Sequence, residues 1–341
     1  KLFADAVSKV GATSTAELQR PLRPSFVGEA AEDAGGPRRE FFNEFGRAAA
    51  AEQSVWKLTG TGCLLPACKS GQDEVYRSCG RIFGLALRQS ENAAQEQRVS
   101  GEGTLADLLA AVREPQERPP LQRQKLLIGV PLASSFLRVV QGDPPATLQE
   151  LQAELRSQQA EDSPDVRASE KFLQSMLAEI GLADQLTFSV EDATSGEVID
   201  LIPNGRETVV TDETKRDWLH RTLRHELVEK CTHAATSFRI GLCEAGCTPF
   251  LVLLSAPELS LLWAGHGVVD DASVDLWERR TQINPARKQE AAWFFELLRG
   301  KLRDARQKIL KFTTGSDRWP VDAEDDFRFT VEPLDGGDGS L

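Results

Sequence analysis

FVGEAAEDAGGPRREFF, residues 26–42, and FTTGSDRWP, residues 312–320, are the two stretches on which the reading of this chain turns. In the first, Gly35-Gly36 admits a turn that residues with side chains form only at higher cost. Glu29, Asp33 and Arg39 are spaced to tie that loop to the helix begun by Arg39-Glu40-Phe41-Phe42. In the second, Gly315 stands where a helix running through Phe312 would stop. Both stretches read as structural rather than chemical.

Working outward, residues 40–51 and 75–87 read as helices, the second carrying Tyr76, Cys79, Ile82, Phe83 and Leu87 on one face at helical spacing. That face is predicted to be core. Residues 89–104 and 113–123 turn polar and proline-rich, so a surface insertion is expected at about 89–124, with a short amphipathic piece at 105–112. Residues 129–140 read as a helix entered through Pro131, which has no N–H to lose there. After a polar stretch at 158–168, Phe172, Leu173, Met176, Leu177 and Ile180 form one apolar stripe. Residues 186–190 and 198–202 read as strands, Pro203-Asn204-Gly205 as a tight turn and residues 208–211 as a returning strand. Thr211 or Asp212 can cap the helix that follows, which lines up Trp218, Leu219, Leu223 and Leu227. Helices then dominate to Phe312, and residues 327–331 alternate like a strand.

Composition narrows the functional classes. The 341 residues are 40% apolar and 27% charged, which suits a folded chain of two or three compact units. A net charge of −12 repels a phosphate backbone, and no segregated basic patch offsets it, so no nucleic-acid partner is expected. Residues 250–269 are the most membrane-like, but Pro257 and Glu258 interrupt them, and a central acidic residue costs roughly 2.5–3.5 kcal/mol on insertion. A buried helix pair is expected there instead, and no membrane association. Six cysteines in so long a chain argue against a disulfide framework and for a reducing compartment, cytosolic or nuclear. The chain opens on Lys1 without a basic-then-apolar leader, as expected of a piece of a longer reading frame.

The two opening stretches resemble the HECT family of ubiquitin-protein ligases, and further matches follow in order. They are Gly80-Arg81-Ile82-Phe83-Gly84-Leu85-Ala86-Leu87, the turn LIPNGR at 201–206, and Pro257-Glu258-Leu259-Ser260-Leu261-Leu262. The resemblance implies an α+β, mainly helical, bilobal domain with a large helical subdomain (1–165 and 236–265) and a small α/β subdomain (166–235). A hinge at 266–270, around Gly265-His266-Gly267, would join these to a partial α/β carboxy-terminal lobe (271–341). In that lobe Trp293, Phe294, Leu297 and Leu298 would pack the first helix, and Leu302, Ile309 and Phe312 the second. The resemblance also implies a groove for a ubiquitin-conjugating enzyme at Phe172, Met176, Leu186, Trp218 and Thr222. Trp218 is the expected anchor, because partly exposed aromatic residues are frequent interface hot spots. Thr222 departs from the large aromatic residue usual in the family. Val321-Asp322-Ala323 likewise stands where the family has Gly-Gly-Phe.

The implied reaction passes ubiquitin from a conjugating enzyme to a ligase cysteine and then to a substrate lysine, without a cofactor. The family's Leu-Pro followed by Thr-Cys-Phe does not occur here, so the thioester cysteine is expected beyond Leu341. Cys63, Cys68, Cys79, Cys231, Cys243 and Cys247 read as inert thiols. A zinc site drawn from His225, His233, Cys243 and Cys247 lacks both a Cys-x-x-Cys pair and a His-Glu-x-x-His helix, and no metal is expected. The alternative is a noncatalytic scaffold that binds a conjugating enzyme and transfers nothing.

Overall fold

A computed structural model describes residues 1–24, 36–92, 126–159, 186–192, 196–267, 269–314, 318–319 and 329–331. In chain order its elements begin with α1 (Leu2–Ala12), α2 (Thr15–Leu18), α3 (Gly36–Ala51), β1 (Trp56–Leu58), β2 (Leu64–Pro66) and α4 (Asp73–Asn92). There follow α5 (Ser134–Gln141), α6 (Leu148–Ser157), β3 (Ser189–Glu191), β4 (Val198–Asp200), α7 (Lys215–Arg224), α8 (Thr232–Glu244), α9 (Thr248–Leu253) and α10 (Ala256–Ala264). The last are α11 (Asp271–Arg280), β5 (Thr281–Ile283), α12 (Lys288–Arg299), α13 (Arg303–Thr314) and β6 (Phe329–Val331). A single π turn, His225–Glu229, carries α7 toward α8. Among the described residues the fold is α+β and mainly helical, with three two-stranded sheets.

Several helix starts follow from local chemistry. Ser14 and Glu17 form a reciprocal capping box on α2, Thr147 and Glu150 form one on α6, and Asp270 accepts the Ser273 N–H at the start of α11. Each satisfies donors that the first helical turn leaves open.

The chain divides into two compact units. One comprises Lys1–Thr13, Arg47–Ile82 and Val130–Ser260. At its centre Trp56 meets Tyr76, Phe136 and Phe238 edge-on, with ring centroids 5.4, 5.9 and 6.2 Å away. Gly80 of α4 and Gly241 of α8 let these helices touch backbone to backbone. A Cβ on Gly80 would lie 2.1 Å from the Phe238 carbonyl oxygen, and one on Gly241 2.0 Å from that of Arg77. The Arg81 guanidinium is buried beside this crossing. It donates to the carbonyls of Val10, Gly11 and Thr13 at 2.9 Å each and to Glu244 at 2.7 Å, closing the open end of α1.

The other unit comprises Ser14–Gly46, Phe83–Gly129 and Leu261–Leu341. Phe41, Phe42, Phe45, Phe83 and Trp263 are buried in it, and the Trp263 indole N–H donates to the Phe83 carbonyl at 2.9 Å. A separate cluster joins Val269, Val274, Trp277, Phe295, Leu298, Leu310 and Trp319. Buried Arg306 donates to the Leu298 and Arg299 carbonyls at the end of α12 and to Asp271. The two parallel three-residue strands pair Thr281 with Phe329 and Ile283 with Val331.

Several expectations change. Residues 131–133 are extended, not helical: the Leu64 N–H donates to the Pro131 carbonyl and the Ala133 N–H to that of Leu64, so they lie along β2 and the helix starts at Ser134. Helix α4 runs on to Asn92, past the expected start of the insertion at 89, and the rest of that insertion lies outside the described residues. On α12, α13 and the link between them, Trp293, Leu297, Leu302 and Phe312 are exposed, Phe312 by 91%. Leu298 is buried as expected, and Phe294 and Ile309 pack against the cluster; because WFFELL is apolar on nearly every side of a helix, the rest of the inward stripe is Ala291 and Phe295. Two helices, α9 and α10, occupy the region of the expected buried pair, but α9 is largely exposed, with Val252 and Leu253 facing outward and Leu251 alone buried; no helix among the described residues is long and apolar enough to cross a membrane.

Candidate functional site

The region expected to bind a conjugating enzyme is built around a short meander. Strands β3 and β4 pair antiparallel, Val190 opposite Ile199, and the chain just before β3 is hydrogen-bonded on both sides. The Leu201 N–H donates to the Phe188 carbonyl, while the Phe188 N–H donates to Thr208 and the Val210 N–H to Leu186. The predicted returning strand therefore exists only as a short bridged segment, with Val209 opposite Thr187. Asn204, at φ +58°, makes the turn, and Gly205 follows because a Cβ there would lie 2.0 Å from the Phe188 carbonyl oxygen.

Helix α7 crosses this meander. Neither Thr211 nor Asp212 is its N-cap: Thr214 stands there without a side-chain bond to the first turn, its hydroxyl accepting the Thr211 N–H at 2.8 Å. Trp218, Leu219 and Leu223 of α7, with Leu227 and Val228 of the π turn, join Leu151, Phe188 and Val210 in one core cluster. Leu186 is half-buried and packs against it. The spacing of the three leucines and the tryptophan thus marked a real buried face.

The expectation of a partly exposed Trp218 is corrected. Its side chain is only 6% exposed, and its indole N–H donates to the Thr187 carbonyl at 2.9 Å. An indole buried with its one donor satisfied is a structural strut between helix and meander. Thr222 lies one turn further along α7 and is half-buried, and its hydroxyl oxygen is enclosed without a hydrogen-bond partner among the described residues. Phe172 and Met176 lie outside the described residues. Of the five residues, the structure therefore brings Leu186, Trp218 and Thr222 to one cluster and its margin. Thr187, whose carbonyl holds the indole, gave no sequence signal, because the contact uses backbone only.

The thiols occupy different settings. Cys79 and Cys247 are fully buried, and burial pushes the Cys79 thiol up to about 12. Cys243 is exposed, and Cys68 is half-buried against buried Cys231. His225 is buried with Nδ1 3.4 Å from Glu229, whereas His233 is exposed. Among the described residues no three His, Cys, Asp or Glu side chains converge as metal ligands would.

Comparison with known proteins bears on this architecture. The family model described as HECT-domain (ubiquitin-transferase) matches residues 121–341. The chain is similar to the E3 ubiquitin-protein ligase pub1 of Schizosaccharomyces pombe, 32% identical over 158 residues, covering 43% of this chain and 20% of that protein. It is also similar to the E3 ubiquitin-protein ligase TOM1-like of Neurospora crassa, 31% identical over 139 residues (40% of this chain, 3% of that protein). The E3 ubiquitin-protein ligase RSP5 of Saccharomyces cerevisiae is 28% identical over 158 residues (43% and 19%). The chain thus spans a fifth or less of the length of these relatives. Because the family model extends over well over half of the chain, the meander, α7 and the carboxy-terminal cluster included, the chain belongs to the HECT-domain (ubiquitin-transferase) family.

Proposed function

We propose that this chain is the ubiquitin-transfer module of a HECT-type ligase, taking ubiquitin as a thioester from a conjugating enzyme and passing it to lysines of protein substrates. The observation that carries the reading is the family match over residues 121–341. In this reading the module is bilobal, with a large subdomain at 1–165 and 236–265, a small one at 166–235, a hinge at 266–270 and a carboxy-terminal lobe from 271. The thioester-forming cysteine is assigned to chain following Leu341. The module works in the cytosol or nucleus, where its six cysteines are kept reduced.

The conjugating enzyme docks over the margin of the α7 cluster, against Leu186 and Thr222 together with Phe172 and Met176. Trp218 acts from beneath, as the strut that fixes α7 on Thr187. Thr222 sits where a larger side chain would extend the apolar surface, so affinity rests on the aliphatic neighbours. Thr222→Arg is expected to weaken binding of conjugating enzymes at least tenfold, about 1.4 kcal/mol, measured on protein shown by circular dichroism to be folded. Unchanged binding by calorimetry would remove this face from the proposal.

The transfer activity is tested by reading the transcript past the codon for Leu341 and assaying the encoded protein with charged conjugating enzyme. A continuing frame with a Thr-Cys motif and a ubiquitin adduct cleaved by thiols is the expected result. A stop codon and no adduct, with conjugating-enzyme binding intact, would replace the ligase by a docking scaffold.

A further inference from the structure

We propose that Cys68 and Cys231 form a peroxide-responsive dithiol, which hydroperoxides close into an intramolecular disulfide. The chemistry of this pair does not depend on ubiquitin transfer. The two Sγ atoms stand 3.7 Å apart although 163 positions separate the residues in sequence. Cys231 is buried at the start of α8, and Cys68 is half-buried in the loop after β2, outside any helix or strand.

That loop is held in a defined shape. Cys68 adopts φ +55°, a left-handed conformation that side chains disfavour. Its N–H donates to the Tyr76 hydroxyl at 3.2 Å, which itself donates to the Val55 carbonyl at 2.8 Å. Half-buried Cys68, its thiol also 3.4 Å from the Pro66 carbonyl oxygen, is the more accessible of the two residues, and Cys231 is buried. A disulfide needs a separation of about 2.05 Å, so the sulfurs must approach by about 1.7 Å. A loop residue can supply that movement more readily than two helical ones.

Electrostatics favour reaction at Cys68. The Cys231 thiol hydrogen-bonded to it lowers its pKa, and the Lys57 and Lys230 charges add to this against burial and Asp192. Cys231 shifts upward, through the same hydrogen bond and through burial, and stays protonated. The Cys68 thiolate attacks one peroxide oxygen; the O–O bond breaks, the thiolate becomes a sulfenic acid, and the leaving oxygen departs as water or an alcohol after taking a proton. The Cys231 sulfur then attacks the sulfenic sulfur; the S–O bond breaks, and hydroxide leaves with the Cys231 proton as water. Two thiols are oxidised by two electrons and one hydroperoxide is reduced.

The test uses the whole 341-residue chain. Reduced protein is exposed to hydrogen peroxide, alkylated and digested without reductant, and its peptides are weighed. The expected main oxidised product is the Cys68 peptide joined to the Cys231 peptide, lighter by two hydrogens and separated by dithiothreitol. In Cys231→Ser the joined peptide disappears and Cys68 carries a sulfenic acid trapped by dimedone. Oxidation confined to exposed Cys243, with Cys68 and Cys231 both recovered alkylated, would overturn the proposal. The unsubstituted chain alone decides this, so a variant that fails to fold does not obscure it. No conjugating enzyme or ubiquitin enters the assay, so its result is independent of the ligase reading.

Discussion

At the scale of single residues, burial decides what a functional-looking side chain does. Trp218 has the composition of a hot spot but the surroundings of a core residue, with its one polar atom committed to the Thr187 carbonyl. Trp218→Phe keeps most of the apolar volume and loses the hydrogen bond, so it should lower unfolding stability by about 1 kcal/mol. Trp218→Ala should cost about 3–5 kcal/mol through the cavity it leaves, and a binding defect in that variant would report unfolding rather than lost contact. Urea titration of both variants separates the two effects. Glu244 offers a pH signature. Arg77 first, and Arg81 after it, hold its carboxyl at about 2, below the ordinary 4.5. A carboxyl depressed in the folded state stabilises above its unfolded value and loses that contribution as pH falls through the folded one. Stability should therefore decline from pH 4.5 toward 2, and Glu244→Gln should flatten the decline. Glu150, held at about 2 by the Thr147 N–H first, leaves a residual slope in that variant.

At the scale of elements, close approach and stripe choice carry the argument. Helices α4 and α8 meet at two glycines, and Gly241→Ala would drive a methyl group into the Arg77 carbonyl. The expected loss is about 3 kcal/mol, the upper range for overpacking, read from the denaturation midpoint. On α12, Phe295→Ala should cost about 3–5 kcal/mol, while Trp293→Gln should change stability by less than about 0.5 kcal/mol, because Trp293 is 60% exposed. Equal losses would return Trp293 to the core. The inward face of α4 was legible because Tyr76, Cys79, Ile82 and Phe83 recur at helical spacing among polar neighbours. The stripe of α12 was not, because WFFELL offers apolar residues in almost every direction, and only neighbouring elements select among them. Pro131 misled for a related reason. Its position suits a helix start, yet Leu64 recruits it into an extended pairing that no local pattern announces.

At the scale of the whole molecule, each unit gathers three separate stretches of chain. That arrangement explains which parts of the site were readable. The meander and α7 lie within about 40 residues and follow turn and period rules that local sequence displays. The meeting of Cys68 with Cys231 and the clasp of Arg81 on α1 join distant stretches, and nothing in their local spacing signals a partner. The parallel pairing of Thr281–Ile283 with Phe329–Val331 is the same kind of feature, formed across about 45 intervening residues. Its consequence concerns time. During synthesis at roughly 5–20 residues per second, β5 leaves the ribosome roughly 2–9 seconds before its partner. For that interval both its edges are bare and open to pairing with the same segment of a neighbouring nascent chain, and β6 then covers one of them. A chain ended before Phe329 should therefore accumulate in the insoluble fraction during expression, whereas one ended after Val331 should not.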